Sequence, residues 1–422
     1  MSRFREMFAN KDFTFLWLGQ IISNFGDRLN QMALVALVYQ RNPGSEMALA
    51  KLISFTIIPV FIVGPIAGVW VDRFDRRKVM IFSDLIRGIL VLFIPLFIYI
   101  NQILPIYFII FLTFSLSRFF IPSKMAIIPD IVSKENLLMA NTLQGTTNMI
   151  GNVAGLVVAG IIVNIRFIGA VGGFYIDAVT FFISAFLLSM MTRTSVAKDL
   201  KNGIVMTGKA LKDSVRMSVL AEIKEGFGYL ANFKNMRLVM GSFFLLMAGL
   251  GTISCVIIVF IQNAFGTSTR DLGFIGMFFV AGLFLGTLIF GKMGNRIPRR
   301  KAIFLSFIES GAFVALFAFF VQRYPNLLVA GLISSALGAA ASPIMVISNT
   351  LTHEAMPEEV RGRIFSSLEM IIHLSFMAFM FVAAYAAKYI DRFWIIVFTG
   401  AVFSLCGIAG ILIEERRRST SF

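Results

Sequence analysis

The chain has little of the charge that a water-soluble protein displays on its surface. Charged residues make up 14% of its 422 positions, whereas apolar residues make up 58%. Soluble globular domains carry about 25% charged residues, so the deficit excludes an ordinary water-exposed surface. The apolar surplus has to be covered by lipid, and the sequence predicts an all-α membrane protein.

The chain is also poor in the residues that build disulfides, metal sites and nucleotide sites. Its two cysteines, Cys255 and Cys406, fall in apolar runs, which excludes a disulfide framework or a CxxC site. No HExxH motif and no GxxxxGK[ST] loop is present. The polar opening MSRFREMFANKDF also argues against a secretory signal peptide. We therefore predict no enzyme activity, no metal and no bound cofactor.

What the chain does have is twelve apolar runs, each long enough to cross a bilayer as a helix of about 20 residues. They lie near 14–40, 47–71, 79–100, 104–121, 138–164, 168–191, 236–263, 271–294, 301–322, 326–349, 362–387 and 393–413. A polar stretch separates six runs from six, and its segment AEIKEGFGYLANF is typical of an amphipathic surface helix. These patterns predict six-helix bundles at 1–191 and 236–422, joined by a cytoplasmic linker at 192–235.

The net charge of +15 gives the orientation. Most Lys and Arg residues lie at the two termini and in alternate loops, and the intervening loops hold few. By the positive-inside rule, the basic loops and both termini are predicted to be cytoplasmic, in the cell inner membrane. The charge is therefore not a nucleic-acid footprint. The expected partners are membrane lipid and a small-molecule substrate, and the expected state is a monomer.

An internal repeat spans the linker. Gly68, Asp72, Arg73, Arg76, Arg77 and Lys78 follow the second run, and Gly291, Asn295, Arg296, Arg299, Arg300 and Lys301 follow the eighth. Each residue of the second set lies 223 positions after its counterpart, as in 291 minus 68. Two ordinary basic loops would be the alternative, but the shared glycine and acid/amide positions favour duplication.

The segment GVWVDRFDRRKVM resembles the G-x-x-x-D-R-x-x-R-R/K signature of the major facilitator superfamily. The resemblance implies a twelve-helix alternating-access transporter in which these loops act as gates. It assigns that role to Gly68, Asp72, Arg73, Arg76, Arg77, Gly291, Asn295, Arg296 and Arg300, with Asp72 meeting the start of span eleven. Arg76 and Arg77 could equally be interfacial anchors. The chain departs from the family pattern at Asn295 and lacks an R-x-x-Q-G motif in span four.

Other segments resemble the macrolide-efflux and siderophore-export branch. They are LWLGQIISNFGDRLNQMALVALVY, YIDAVTFFISA, EIKEGFGYL and RGRIFSS. This resemblance implies export of a small amphiphilic or drug-like solute, coupled to protons. The first helix is also similar to that of lysophospholipid transporters, which gives an alternative substrate. A likeness to ferroportin is weakened by Gln31, which stands where that family has histidine. The alternative from a different functional class is a membrane sensor or scaffold that transports nothing.

Two charges fall in the middle of the first run. A charge at the bilayer centre costs roughly 2.5–3.5 kcal/mol on insertion scales, so Asp27 and Arg28 should face a cavity or a partner. Adjacent residues point about 100° apart on a helix, so the two should not pair with each other. Asp27 is the leading candidate for substrate or proton binding, with Arg28 beside it. A fixed interhelical ion pair is the alternative.

Further candidates lie on spans five and eleven. Glu369 and His373 share a helix face and form either a proton site or a local tether. Asn148 and Asn152 lie on a seam of small and polar residues that forms either a cavity wall or a packing surface. Elsewhere, Asp84 and Arg87 are spaced to pair. Asp177 and Glu309 fall on spans that the resemblance makes peripheral, and structural roles are expected for them.

Overall fold

The computed structural model describes residues 7–64, 67, 74–192, 234–267, 269–293, 297–355 and 358–419. These residues contain twelve α-helices of 17 or more residues. The first six are α1 (Lys11–Arg41), α2 (Glu46–Ile62), α3 (Arg76–Tyr99), α4 (Leu104–Ile131), α5 (Leu137–Asn164) and α6 (Gly169–Ser189). The others are α7 (Lys234–Phe265), α8 (Arg270–Met293), α9 (Arg299–Arg323), α10 (Leu327–Ala355), α11 (Glu358–Ala386) and α12 (Arg392–Ser419).

The helices have the length and composition of membrane spans. Within the described residues, the ten from α3 to α12 are long and apolar enough to cross a bilayer. The remaining two occupy the first two predicted spans, where polar residues dilute the centre of α1 and α2 is described over 17 residues. The prediction of an all-α membrane protein is confirmed.

Span four is longer than the sequence predicted. The prediction ended it at residue 121, but α4 continues to Ile131 through Pro122 and Pro129. The Ser123 hydroxyl donates to the Phe119 carbonyl oxygen at 2.8 Å, and the Lys124 ammonium donates to Gln20 Oε1 at 3.1 Å. Lys124 therefore lies on the helix, beyond the predicted end of span four. The hydrogen bond to Gln20 of α1 gives the Lys124 ammonium a polar partner, so the helix can continue past it.

The chain divides into two compact units. The first comprises Met1–Leu37 with Lys51–Leu220, and the second comprises Val38–Ala50 with Ala221–Phe422. The segment Val38–Ala50 belongs to the second unit, where the Arg392 guanidinium pairs with the Glu46 carboxylate and donates to the Gly44 carbonyl oxygen at 3.0 Å. The predicted amphipathic helix of the linker lies outside the described residues.

Equivalent helices pack in equivalent ways within each unit. In the first, α3 packs against α4 and α6; in the second, α9 packs against α10 and α12. Arg77 donates to the Leu188 carbonyl oxygen at 2.9 Å and to the Ser189 carbonyl at the end of α6. Arg300, its counterpart in the repeat, lies 3.5 Å from Glu414 of α12. The repeat seen in the sequence therefore corresponds to a repeated structural contact.

In the second unit, α8 and α10 pack backbone to backbone. A Cβ atom built on Gly282 would lie 1.9 Å from the Ser335 carbonyl oxygen, and one on Gly338 would lie 2.2 Å from the Phe279 carbonyl oxygen. Membrane helices use small residues in this way because van der Waals packing replaces the hydrophobic effect between helices.

Gly282→Ala is expected to destabilise the protein by about 1–3 kcal/mol, the usual cost of overpacking, because α8 must move away from α10. Gly241→Ala is the matched control, since a Cβ atom on Gly241 meets no atom within 4 Å. Because alanine favours a helix more than glycine does, Gly241→Ala in α7 should leave the stability unchanged or raise it. Thermal unfolding of both variants in detergent measures the difference, and equal melting temperatures would contradict the close packing.

Candidate functional site

The candidate site is built on the contact between α1 and α6 in the first unit. Small residues seven positions apart on α1 let its backbone approach α6. Gly19, Gly26 and Ala33 face Ser184, Thr180 and Gly173 respectively. The approach brings the polar side chains of α1, α3 and α6 together within apolar helices, where polar groups need protein partners.

Arg87 of α3 is the centre of this polar cluster. Its NH2 atom lies 2.8 Å from Asp27 Oδ1 of α1, and its NH1 atom lies 3.3 Å from Asp84 Oδ1, one turn earlier on α3. Its guanidinium carbon lies 4.0 Å from the centre of the Phe181 ring of α6, a cation–π contact. One buried cation therefore links three helices, and the predicted pairing of Asp84 with Arg87 is confirmed.

The two carboxylates on Arg87 differ in exposure. Asp84 is fully buried, and its Oδ2 atom accepts a hydrogen bond from Ser184 Oγ at 2.7 Å. The Asp27 side chain is 38% exposed. Asp27 is thus the carboxylate on Arg87 that an ion or a solute can reach. The sequence left a fixed interhelical ion pair as the alternative role of Asp27. Asp27 and Arg87 do form such a pair, but the Asp27 side chain is partly exposed.

Asp177 of α6 belongs to the same cluster. It is fully buried, and its Oδ2 atom accepts a hydrogen bond from Asn30 Nδ2 of α1 at 2.6 Å. The close approach at Gly26 places the side chain of Asp177 between α1 and α6, and its bond to Asn30 joins the two helices, a contact of the structural kind that was expected for it.

Arg28 lies beside the predicted seam of α5. Arg28 NH1 donates to Gln31 Oε1 at 2.7 Å, so Asp27 and Arg28 bond to different partners, as helical geometry predicts. A Cβ atom on Gly155 would lie 3.0 Å from Arg28 Cγ, so α5 packs closely on this side chain.

The amides on α5 take part in helix packing. Asn148 Oδ1 accepts from Asn24 Nδ2 at 2.7 Å, and the neighbouring Thr147 hydroxyl accepts from Trp17 Nε1 at 3.0 Å. Asn152 lies partly buried one turn further along α5. These contacts join α1 to α5 and favour the packing interpretation of the seam.

On α11, His373 Nδ1 lies 2.8 Å from the backbone carbonyl oxygen of Glu369. This contact is local to one helix and joins the imidazole ring to the backbone. Among the described residues, no group of three or more His, Cys, Asp or Glu side chains is placed to hold a metal ion.

Of the predicted gating residues, five lie outside the described residues: Gly68, Asp72, Arg73, Asn295 and Arg296. Arg76 NH1 lies 2.7 Å from Asp130 Oδ2 and 2.9 Å from the Ala126 carbonyl oxygen, both on α4. A Cβ atom on Gly291 would meet nothing within 4 Å. The contacts of Arg76 and Arg77 attach α3 to α4 and α6 respectively.

The comparison with known families agrees with this architecture. The family model described as the Major Facilitator Superfamily matches residues 16–235 and 239–421, which is almost the whole chain. The chain belongs to the major facilitator superfamily. The match covers both halves, so the family resemblance found in the sequence is confirmed, and this facilitator is a multi-pass membrane transporter.

Two relatives of this facilitator align over nearly their full lengths. The MFS-type transporter YfiS of Bacillus subtilis is 23% identical, with 98% of this chain and 97% of YfiS covered. Macrolide efflux protein A of Streptococcus pyogenes is 22% identical, with 96% of each covered. A crystal structure of a POT family transporter in complex with 5-aminolevulinic acid has a TM-score of 0.72 at 13% identity, covering 96% of both chains. That likeness shows the shared fold.

Proposed function

We propose that this facilitator exports a small amphiphilic or drug-like solute by alternating access, in exchange for protons, and that Asp27 binds the proton or the solute. The observation that carries the proposal is the unequal exposure of the two carboxylates on Arg87. Asp84 is buried, whereas the Asp27 side chain is 38% exposed. An exposed carboxylate on a buried cation is a site where a second cation can compete.

Competition between a proton and Arg87 for Asp27 would change the contact between α1 and α3. Arg87 holds Asp27 of α1 at 2.8 Å and Asp84 of its own helix at 3.3 Å. When Asp27 takes up a proton, its charge-assisted bond to Arg87 weakens, and Arg87 keeps Asp84 as its ionic partner. The link between α1 and α3 therefore depends on whether Asp27 is charged. A two-state contact of this kind is what coupling between a proton and a helix movement requires.

Export and the solute class have a different basis. Macrolide efflux protein A, by its name an efflux protein, aligns with 96% of this chain. The 46 phenylalanines and 22 methionines suit an adaptable apolar binding surface. We also propose that both termini are cytoplasmic in the cell inner membrane, from the distribution of Lys and Arg, and that the transporter works as a monomer.

Uptake into inside-out membrane vesicles tests the proposal. Macrolides, siderophores and lysophospholipids are first ranked by the thermal stabilisation that they give the purified protein. The compound that stabilises most is then offered to vesicles with an acidic lumen. We expect accumulation that a protonophore abolishes. Accumulation that survives the protonophore would exclude proton coupling, and movement of lysophospholipid alone would replace the drug-like solute with a lipid.

A further inference from the structure

The α1–α6 contact contains a second carboxyl group that the proposed cycle of Asp27 does not use. Asp177 is fully buried, and its Oδ2 atom accepts from Asn30 at 2.6 Å. In the described part of the chain, its Oδ1 atom has no hydrogen-bond partner. Buried polar atoms are almost always paired, so a lone carboxyl oxygen at this depth indicates a missing ligand.

The space beside Oδ1 limits what that ligand can be. A Cβ atom on Gly26 would lie 2.5 Å from Asp177 Oδ1 and 1.9 Å from Thr180 Oγ1, so the α1 backbone closes over the carboxyl group. Thr180 donates its own hydroxyl to the Asp177 backbone carbonyl at 2.7 Å. A sodium ion needs several oxygen ligands around it, and Gly26 occupies the place where they would stand. A proton needs no such space.

The charges facing Asp177 come from two helices. Asp27 of α1 and both Asp84 and Arg87 of α3 interact with it electrostatically. Arg87 makes its ion pairs with Asp27 and Asp84. Lys124 of α4 interacts electrostatically with Asp27. The helix α5, which packs on α6, carries no ionisable residue. The cluster therefore has three carboxyl groups around one guanidinium, and within the described ranges of the chain Asp177 makes no ion pair.

We propose that Asp177 is a second proton-binding group of this transporter, and that the packing of Gly26 against it controls access to Oδ1. A lone pair of Oδ1 accepts the proton when α1 moves away from α6, and the proton leaves through the same opening. The Asn30 bond to Oδ2 keeps the carboxyl group in place throughout. The inference rests on the proposed proton coupling and adds a carrier on α6 to the one on α1.

The decisive measurement is made on the purified protein, without a substrate. Infrared difference spectra between acidic and alkaline buffer report each carboxyl group that gains a proton. The protonated-carboxyl band of wild type should contain a component that Asp177→Asn lacks, because the amide keeps the shape and cannot titrate. Glu309→Gln, which alters an exposed carboxyl group on α9 of the second unit, is the control and should keep that component. An unchanged spectrum in Asp177→Asn would overturn the proposal.

A transport assay separates this inference from the proposed function. Asp177→Asn should reduce uptake driven by a pH gradient by about tenfold or more, within the usual range of coupling free energies. Exchange of labelled for unlabelled solute at equal pH should be retained. Normal gradient-driven uptake in Asp177→Asn would count against Asp177 alone. Absence of such uptake in wild type would instead remove the proposed function, whereas the infrared band would still report a proton on Asp177.

If Asp177→Asn does not fold, Asn30→Ala gives a second test. It keeps the carboxyl group but removes the hydrogen bond that its Oδ2 atom accepts. The carboxyl component assigned to Asp177 should then appear at a different frequency than in wild type, because a hydrogen bond changes the C=O stretch. A component that coincides with wild type would contradict the assignment.

Discussion

Replacing Arg87 with Gln is expected to destabilise the protein by about 3–5 kcal/mol, the cost of removing one partner of a buried ion pair. Arg87 is buried, and its guanidinium is the cation that contacts both Asp27 and Asp84. Without it, the fully buried Asp84 retains the Ser184 hydroxyl and no ionic partner. The fall in melting temperature of the purified variant measures the loss.

A double variant tests the cause. Asp84→Asn combined with Arg87→Gln removes both charges of the buried pair, and most of the stability should return because no buried charge is left uncompensated. Arg76→Gln is a control for arginine loss in general. Arg76 and Asp130 are each about a quarter exposed, and an exposed pair contributes at most about 1 kcal/mol. If the double variant were as unstable as Arg87→Gln, the charge argument would be wrong.

The second large effect is expected in function rather than stability. Asp27→Asn should abolish uptake driven by a pH gradient into inside-out vesicles while leaving the fold intact. Asn can still accept a hydrogen bond from Arg87, and the Asp27 side chain is 38% exposed, so no fully buried charge is uncovered. The variant cannot exchange a proton, so the α1–α3 link no longer responds to pH. Initial uptake rates at several pH values are the measurement.

The control for Asp27→Asn is Asp130→Asn, which neutralises an aspartate on α4 that is part of a partly exposed pair with Arg76. Its uptake should keep the pH dependence of wild type. Wild-type rates in Asp27→Asn would remove Asp27 from the proton pathway and leave it as one end of an interhelical ion pair.

Asp84 and Arg87 illustrate which contacts local spacing can predict. They stand three residues apart on one helix, so their proximity follows from helical geometry alone. The same is true of Asp27 and Arg28, which point apart and take different partners. The contact of Asp27 with Arg87 joins residues 60 positions apart. No periodic pattern in the sequence predicts a contact over that separation. A charge in an apolar helix indicates only that it has some partner.

Asp177 shows that the position of a helix does not fix the surroundings of each of its side chains. A helix can lie at the outside of a bundle and still direct one side chain inward. The small residues Gly19, Gly26 and Ala33 on α1 were the missing signal, because their spacing of seven allows close approach of a second helix along one face. The sequence does not indicate which helix packs against this face of α1. In the structure it is α6, and its packing brings Asp177 into contact with Asn30.

By itself, the sequence determined that this is a duplicated, all-helical membrane protein of the major facilitator superfamily. Hydrocarbon thickness fixes the length of each span, and gene duplication leaves a constant offset between equivalent residues, so both are local or periodic properties that a single chain displays. Only the tertiary structure decided that Arg87 serves two carboxylates on different helices and that Gly26 covers Asp177. Those contacts depend on which helix faces meet, and that is settled by the steric fit of side chains from distant parts of the chain.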